Sequence, residues 1–146
     1  MTNVSLEKIA GDLNELTQAL SNSDLPTEDV SEPGRTYFRA FGADDTTVGY
    51  SGIEQCGPDA LLRSVVVLPD HRGKSLGKVI VAETLKAAPI VGTVYLATTS
   101  AAPFFADLGF ERVQRADVPD AILATRQLSG ICPASATIMK LTKPPT

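Results

Sequence analysis

The residues best suited to chemistry in this chain stand in one run, Arg72-Gly73-Lys74-Ser75-Leu76-Gly77, with Lys78 directly after it. A β-branched stretch, Val65, Val66 and Val67, leads into the run through Leu68, Pro69, Asp70 and His71, and an amphipathic helix follows. Small residues between a strand and a helix N-terminus hold anions. The first-turn N–H groups have no partner within the helix, and its dipole favours negative charge there. Gly73, Ser75 and Gly77 permit close backbone approach, and Arg72, Lys74 and Lys78 add positive charge, so the expected guest is a pyrophosphate. A nucleotide P-loop requires G-x-x-x-x-G-K-[ST], which the chain lacks, and Gly73 and Gly77 do not supply the dinucleotide pattern G-x-G-x-x-G. An ordinary glycine-containing turn is the plain alternative. Ser75 fits a phosphate cradle at little cost if its φ is negative; a positive φ would weaken binding.

Other reactive side chains are few. Arg63 lies inside an apolar run, where a charged group needs a partner. That partner is either Glu54 on the preceding strand or a carboxylate or oxyanion of a substrate, held in bidentate fashion. Glu54 is the candidate general base, acting through water; otherwise it is a solvated strand residue or the partner of Arg63. His71, the single histidine, reads as a solvated loop residue on the phosphate side rather than a base. Cys56 and Cys132 are too few for a disulfide framework and fit a reducing compartment, so a cytoplasmic location is expected.

These residues have to be positioned by a fold that the patterning outlines. With 146 residues and 43% hydrophobic content, the chain is expected to form one domain over 1–146, with 142–146 a flexible tail. Strands are predicted over 4–9, 35–41, 47–56, 60–68, 93–98, 111–115 and 134–141. Helices are predicted over 12–22, 75–88, 101–108 and 119–128, the third closed by Gly109 and the last opened by Pro119. The order βαβββαβαβαβ indicates an α/β (α+β) sheet covered by helices. Thirteen basic against seventeen acidic residues, a net charge of −4, argue against a nucleic-acid partner. No apolar run approaches the ~20 residues that span a membrane, and the N-terminus lacks the pattern of a secretory signal.

The loop at 72–77 resembles the R-x-x-G-x-G/A loop of acetyl-CoA-dependent N-acetyltransferases, with Ser75 where that family places its middle glycine. The segments VYLATT and AAPFFADLGF resemble the family's fifth strand and the helix that ends in Gly-Phe. This resemblance implies a GNAT-type mixed central sheet with splayed fourth and fifth strands and helices on both faces. It implies acetyl-CoA as donor, with the pantetheine arm along Val65, Val66 and Val67, and Thr98, Ala101, Phe104 and Phe105 on the other side. No metal is implied; the partner is a small-molecule amine, and the protein is a monomer or homodimer. Many relatives carry a tyrosine where this chain has Phe105, which cannot protonate the leaving thiolate. A thiol of pKa ~8.5 leaves adequately without that help. Tyr95, on the neighbouring strand, substitutes only if it points into the cleft.

A narrower resemblance joins LLRSVVV and TTSAAPFFADLGF to Arg115, Pro119, Ile122, Thr125 and the segment Ile131-Cys132-Pro133-Ala134-Ser135-Ala136. With Leu25-Pro26-Thr27-Glu28-Asp29, these are similar to the arsenic-resistance (ArsN-type) N-acetyltransferases. In that light Cys132 is an inert buried thiol, a soft ligand for arsenic or an acetyl relay.

Amine chemistry narrows the acceptor. A lysine-like amine of pKa ~10.4 must spend about 4.6 kcal/mol to be neutral at pH 7, whereas an α-amino group costs about 1 kcal/mol. The strand over 60–68 carries no carboxylate, so the weak supply of bases favours an amino-acid-like primary amine acetylated by direct transfer. The rival expectation is a non-catalytic acetyl-CoA-binding or arsenical-sensing module, supported by Phe105 and the missing strand carboxylate.

Overall fold

The computed structural model describes residues 4–23, 25, 27, 29–73, 75–88, 92–125, 128, 130 and 135–141. Lys74, Cys132 and the tail over 142–146 lie outside the described residues. Seven strands build one sheet: β1 (Ser5–Ile9), β2 (Arg35–Phe41), β3 (Thr47–Cys56), β4 (Asp59–Val67), β5 (Val94–Thr98), β6 (Glu111–Val113) and β7 (Thr137–Leu141). Their spatial order is β1-β2-β3-β4-β5-β7-β6. Neighbours are antiparallel except β4 and β5, which run parallel and pair only at Ala60–Val94 and Leu61–Tyr95. Helices α1 (Asn14–Asn22), α2 (Leu76–Ala87), α3 (Ala102–Asp107) and α4 (Asp120–Leu123) complete the order βαβββαβαβαβ read from the sequence.

Element boundaries shift from the sequence reading, as at α1, which begins at Asn14, and β7, which begins at Thr137, and two of the shifts have a local cause. The fourth helix, expected over 119–128, is four residues long, and Pro119 is its N-cap rather than its first residue. The Thr125 hydroxyl donates to the Ile122 carbonyl at 2.7 Å, and such local bonding competes with helix propagation. The sixth strand stops at Val113 because Arg115–Asp117 tightens into a 3-10 turn.

Apolar alternation covers both faces of the sheet. Ile53, Leu62, Leu96 and Met139 pack with Val81 and Leu85 of α2 and Phe105 of α3, while Ala40 and Val48 meet Leu76 and Ile80. On the opposite face, Leu16, Ala19 and Leu20 of α1 lie on Tyr37, Tyr50 and Val66, and Ile122 of α4 lies on Leu61, Tyr95 and Ile138.

A β-bulge interrupts β4. Gly52 faces Arg63 and Tyr50 faces Val66, so Ser51 alone opposes both Ser64 and Val65. Ser64 takes φ 59°, the left-handed conformation that a bulge of this kind ordinarily assigns to glycine. The extra residue resets the alternation: Leu61, Arg63 and Val66 share the α1/α4 face, and Val65 and Val67 turn towards α2.

Arg63 therefore lands in a buried ionic cluster. It donates to both oxygens of Asp29, at 2.5 and 2.7 Å, and to Glu54 Oε1 at 3.1 Å; Arg35 donates to Asp29 Oδ2 at 2.9 Å. Asp29 is fully buried, which by itself would raise its carboxyl pKa. Hydrogen bonds from Arg63 and then Arg35, with their charges, bring it down to about 2. A depressed carboxyl contributes stability above its unfolded pKa of ~3.9 and loses it as pH falls through the folded value. In urea unfolding, wild type is expected to lose roughly 2 kcal/mol between pH 4 and 2 from this group alone. Asp29→Asn should lack that increment and lose about 3–5 kcal/mol at pH 7, because it leaves a buried arginine underpaired. Equal pH slopes for the two proteins would refute this account.

Candidate active site

Beyond the two paired positions, β4 and β5 diverge, and a cleft of about 690 Å³ opens between them. The start of the gap is fixed by short bonds. Thr93 N–H donates to Asp59 Oδ1 at 2.9 Å, Gly92 N–H to the Pro58 carbonyl at 2.8 Å, and Ala60 N–H to the Thr93 carbonyl at 3.1 Å. From there β5 is taken up by β7 over all five of its residues, and β4 stays with β3. Just past the last rung stand Leu62 and Leu96, then Ser64 and Val65, then Val67, and the cleft runs out to Arg72, Gly73, Ser75, Leu76 and Gly77 at the start of α2.

Strand alternation decides which backbone groups face the gap. Leu68 N–H donates to the Val48 carbonyl at 2.8 Å, so residue 68 and, two before it, Val66 turn their polar groups towards β3. Val65 and Val67 turn theirs towards the opening. Val66 is accordingly absent from the cleft wall; its side chain packs beneath α1. Thr98, Ala101, Phe104 and Phe105 border the far side, where Ala101 N–H donates to Thr98 Oγ1 at 2.9 Å and fixes the turn into α3. Phe105 meets Phe104 and Phe110 edge-on at 5.0 and 5.7 Å, which makes this part of the wall dry.

At the outer end, α2 begins without a side-chain cap, so its first-turn N–H groups are left for a ligand. A Cβ on Gly77 would come within 2.9 Å of the Phe104 ring, so glycine here sets how closely α2 approaches α3. Gly73 has φ 83° and Ser75 φ 59°. Of the two conditions stated for Ser75, the loop thus imposes the unfavourable one. Arg72 reaches across the mouth, donating to the Val67 carbonyl at 2.9 Å and the Ser23 hydroxyl at 3.3 Å. Lys78 is exposed on α2 and does not border the cleft.

Of the two catalytic candidates from the sequence, Arg63 reaches the cleft wall and Glu54 does not. The carboxylate of Glu54 is joined to Arg63 and stands 3.7 Å from Arg35, and Glu54 does not border the cleft. Arg63 contributes to the cleft wall, but its guanidinium, fully buried, is occupied by Asp29 and Glu54. Tyr95 packs with Leu61, Val118 and Ile122 on the α4 face, not in the cleft, and burial raises its phenol. His71 borders the outer end. Cys56 is half-buried, and burial, with Glu54 and Asp59 nearby, pushes its thiol up to about 11. Asp29 was missed as a functional candidate because its partners are 6 and 34 residues away in the chain.

The cleft has the length of open strand edge, the uncapped helix and the small residues that a nucleotide-linked thioester needs, so the residues fit coenzyme A. The acetyltransferase (GNAT) domain profile matches residues 34–112, more than half of the chain. The chain belongs to the GNAT acetyltransferase family. It is an N-acetyltransferase domain with acetyl-CoA as donor. Among solved structures it is similar to a GNAT-family acetyltransferase from Staphylococcus aureus Mu50, with 15% identity, TM-score 0.68 and coverage of 96% of this chain and 99% of that one. It is also similar to N-acetylglutamate synthase from Neisseria gonorrhoeae, complexed with coenzyme A and N-acetyl-glutamate, at 14% identity and TM-score 0.75. That match covers 97% of this chain and 35% of the synthase. A spermidine N-acetyltransferase from Vibrio cholerae matches at 13% identity and TM-score 0.68, covering 95% and 93%. No curated protein matches the sequence. Among the described residues no helix is long and apolar enough to cross a membrane, and no group of His, Cys, Asp and Glu could hold a metal ion.

Two substitutions test the cradle. Gly77→Val should remove measurable acetyl-CoA binding by calorimetry while leaving a cooperative unfolding transition, because the added branch strikes the Phe104 ring. Ser75→Gly should relieve roughly 1 kcal/mol of left-handed strain that the loop already carries before binding, so it should raise the unfolding midpoint and leave acetyl-CoA affinity within a few-fold. Unchanged affinity in Gly77→Val would place the phosphates elsewhere.

Proposed function

We propose that the protein moves the acetyl group of acetyl-CoA directly to the primary amine of a small, amino-acid-like acceptor in a ternary complex. The observation that carries this reading is the chemistry of the cleft wall: none of its described residues is Asp or Glu, His71 stands at the outer end, and Glu54, the candidate base of the sequence, is off the wall and paired with Arg63. A site without a strong base serves an amine that is already partly neutral. At pH 7 an α-amino group costs about 1 kcal/mol to deprotonate against about 4.6 for an alkyl amine, a difference of several hundred-fold in reactive population. In this reading the pyrophosphate rests on the start of α2, among Arg72, Gly73, Lys74, Ser75, Leu76 and Gly77, with Lys78 adding charge. The pantetheine arm lies along Val65 and Val67, opposite Thr98, Ala101 and Phe104, and Phe105 keeps the thioester end dry. Glu54 and Arg63 then serve as framework, and no residue is assigned as base.

The relatives support amines as a class: one similar structure holds N-acetyl-glutamate and another is a spermidine acetyltransferase. Kinship with the arsenic-resistance subgroup is proposed on sequence alone. Of its marker residues, Ile122 of α4 is buried against the sheet, Thr125 bonds back to Ile122, and Arg115 donates to the Leu128 carbonyl at 3.2 Å. These are scaffold roles, compatible with a subgroup that is defined by ancestry. A cytoplasmic monomer or homodimer is the setting this reading assumes.

The reading is tested by measuring CoA release across free amino acids, amino-acid amides, alkyl amines and polyamines. Alpha-amines should be the preferred class, and kcat/KM should rise with pH along the titration of the acceptor amine, with a midpoint that moves when the amine is changed. A preference for spermidine or alkyl amines, or a midpoint that stays fixed across acceptors, would overturn the choice of acceptor class. Tight acetyl-CoA binding with no turnover on any amine would favour the non-catalytic module instead.

A further inference from the structure

Ser64 is the one left-handed non-glycine residue within a strand of the sheet among those described, and it stands at the bulge where β4 parts from β5. It borders the cleft, is 7% exposed, and its hydroxyl oxygen is buried with no hydrogen-bond partner among the described residues. An unpaired buried hydroxyl costs roughly 1–3 kcal/mol, and strain in an uncommon backbone region adds to that. The neighbours do not relieve it. Arg63 places its two terminal nitrogens on Asp29 and Glu54, and its Nε, like the Ser64 oxygen, is buried without a partner; Val65 is apolar, and Ser51 across the bulge gives its hydroxyl to Thr84 at 2.6 Å. Glycine would hold this backbone without strain and without an unpaired group, so the hydroxyl calls for a role.

We propose that Ser64 is a catalytic residue whose hydroxyl donates a hydrogen bond to the carbonyl oxygen of the acetyl thioester. The inference rests on the acetyl-transfer reading of the cleft. The wall at this level is apolar, with Leu62, Leu96 and Phe105 around the bulge, so a single donor acts in a medium of low polarity, where it is strongest. The proposed bond requires a side-chain torsion different from the one seen, because the oxygen is buried although the residue borders the cleft. As the amine nitrogen bonds to the acetyl carbon, the C–S bond breaks, and the proton lost by nitrogen reaches the thiolate through solvent. Ser64 keeps its own proton throughout: a hydroxyl is far too weak an acid to protonate a thiolate of pKa ~8.5, but it suits the negative charge that gathers on oxygen. This role is distinct from that of the tyrosine replaced by Phe105, which concerns the sulfur.

The test uses Ser64→Gly, which removes the hydroxyl yet favours φ 59°, together with Ser64→Ala. Difference infrared spectra of acetyl-CoA labelled with carbon-13 at the carbonyl, bound to each protein, should show a lower carbonyl frequency in wild type than in either variant. On the preferred amine, kcat should fall roughly 10²-fold in Ser64→Gly, with acetyl-CoA affinity within a few-fold and thermal stability equal to or above wild type. An identical carbonyl band in wild type and Ser64→Gly would overturn the proposal, as would an unchanged kcat. If wild type binds acetyl-CoA but acetylates no amine, the function proposed above fails, and the infrared band alone still decides whether Ser64 holds the carbonyl.

Discussion

The parallel contact between β4 and β5 is two residue pairs long, and the active site is a consequence of that brevity. The side chain of Asp59 and the backbone of Pro58 hold the start of β5 in register, after which β5 is drawn into an antiparallel ladder with β7 and β4 remains with β3. Each strand is then satisfied on its outer edge and open on its inner one. Buried backbone donors and acceptors need partners. An extended ligand carrying amide groups would supply them in the pattern of a strand, which is the physical ground for the pantetheine placement proposed above. The guanidinium of Arg72 on the Val67 carbonyl shows how readily that edge takes a donor.

Charge is distributed so that the two ends of the cleft do different work. The carboxylates and arginines at positions 29, 35, 54 and 63 neutralise one another beneath the α1 side of the sheet, and the terminal nitrogens of Arg63 are taken up within this cluster. Cationic Arg72 and the uncapped start of α2 stand at the mouth, while Phe104, Phe105, Leu62 and Leu96 make the middle apolar. An anionic group is favoured at the mouth, and a neutral thioester is favoured within. The buried cluster contributes indirectly. Asp29 joins the connection between α1 and β2 to β4 immediately before the bulge, so the backbone at Ser64 has a fixed neighbour.

Local signals in the sequence were enough for the element order and for the turn that leads into α2. Three apolar β-branched residues, a proline stop, and small residues ahead of an amphipathic helix each act within a few positions, and α2 begins one residue after Ser75. What escaped depends on longer range or on degeneracy. The bond between Asp29 and Arg63 spans 34 residues and has no local trace. Serine is compatible with either sign of φ, so Ser75 gave no warning of its left-handed backbone. Position alone marks Val65, Val66 and Val67 together as the open edge; which of them turn their polar groups to the gap follows from the longer-range pairing with β3. The polar pair Arg63-Ser64 inside an apolar run is a trace of the bulge at Ser64, since two successive polar residues cannot both obey a period of two.

The two left-handed serines at the cleft, Ser64 and Ser75, share φ 59° and differ in burial. Ser75 is exposed at the mouth, where its hydroxyl is satisfied by water, and glycine would serve the same turn at lower cost. Ser64 is buried where water cannot satisfy it, so each unfavourable contribution there, strain and desolvation, is larger. A position that carries both costs is tolerated only if something offsets them in the state that matters. For a hydroxyl at the edge of an apolar cleft, the proposed offset is a ligand oxygen, and it grows as charge develops on that oxygen. In that role the bulge turns a break in strand alternation into a donor at the point where the sheet first opens.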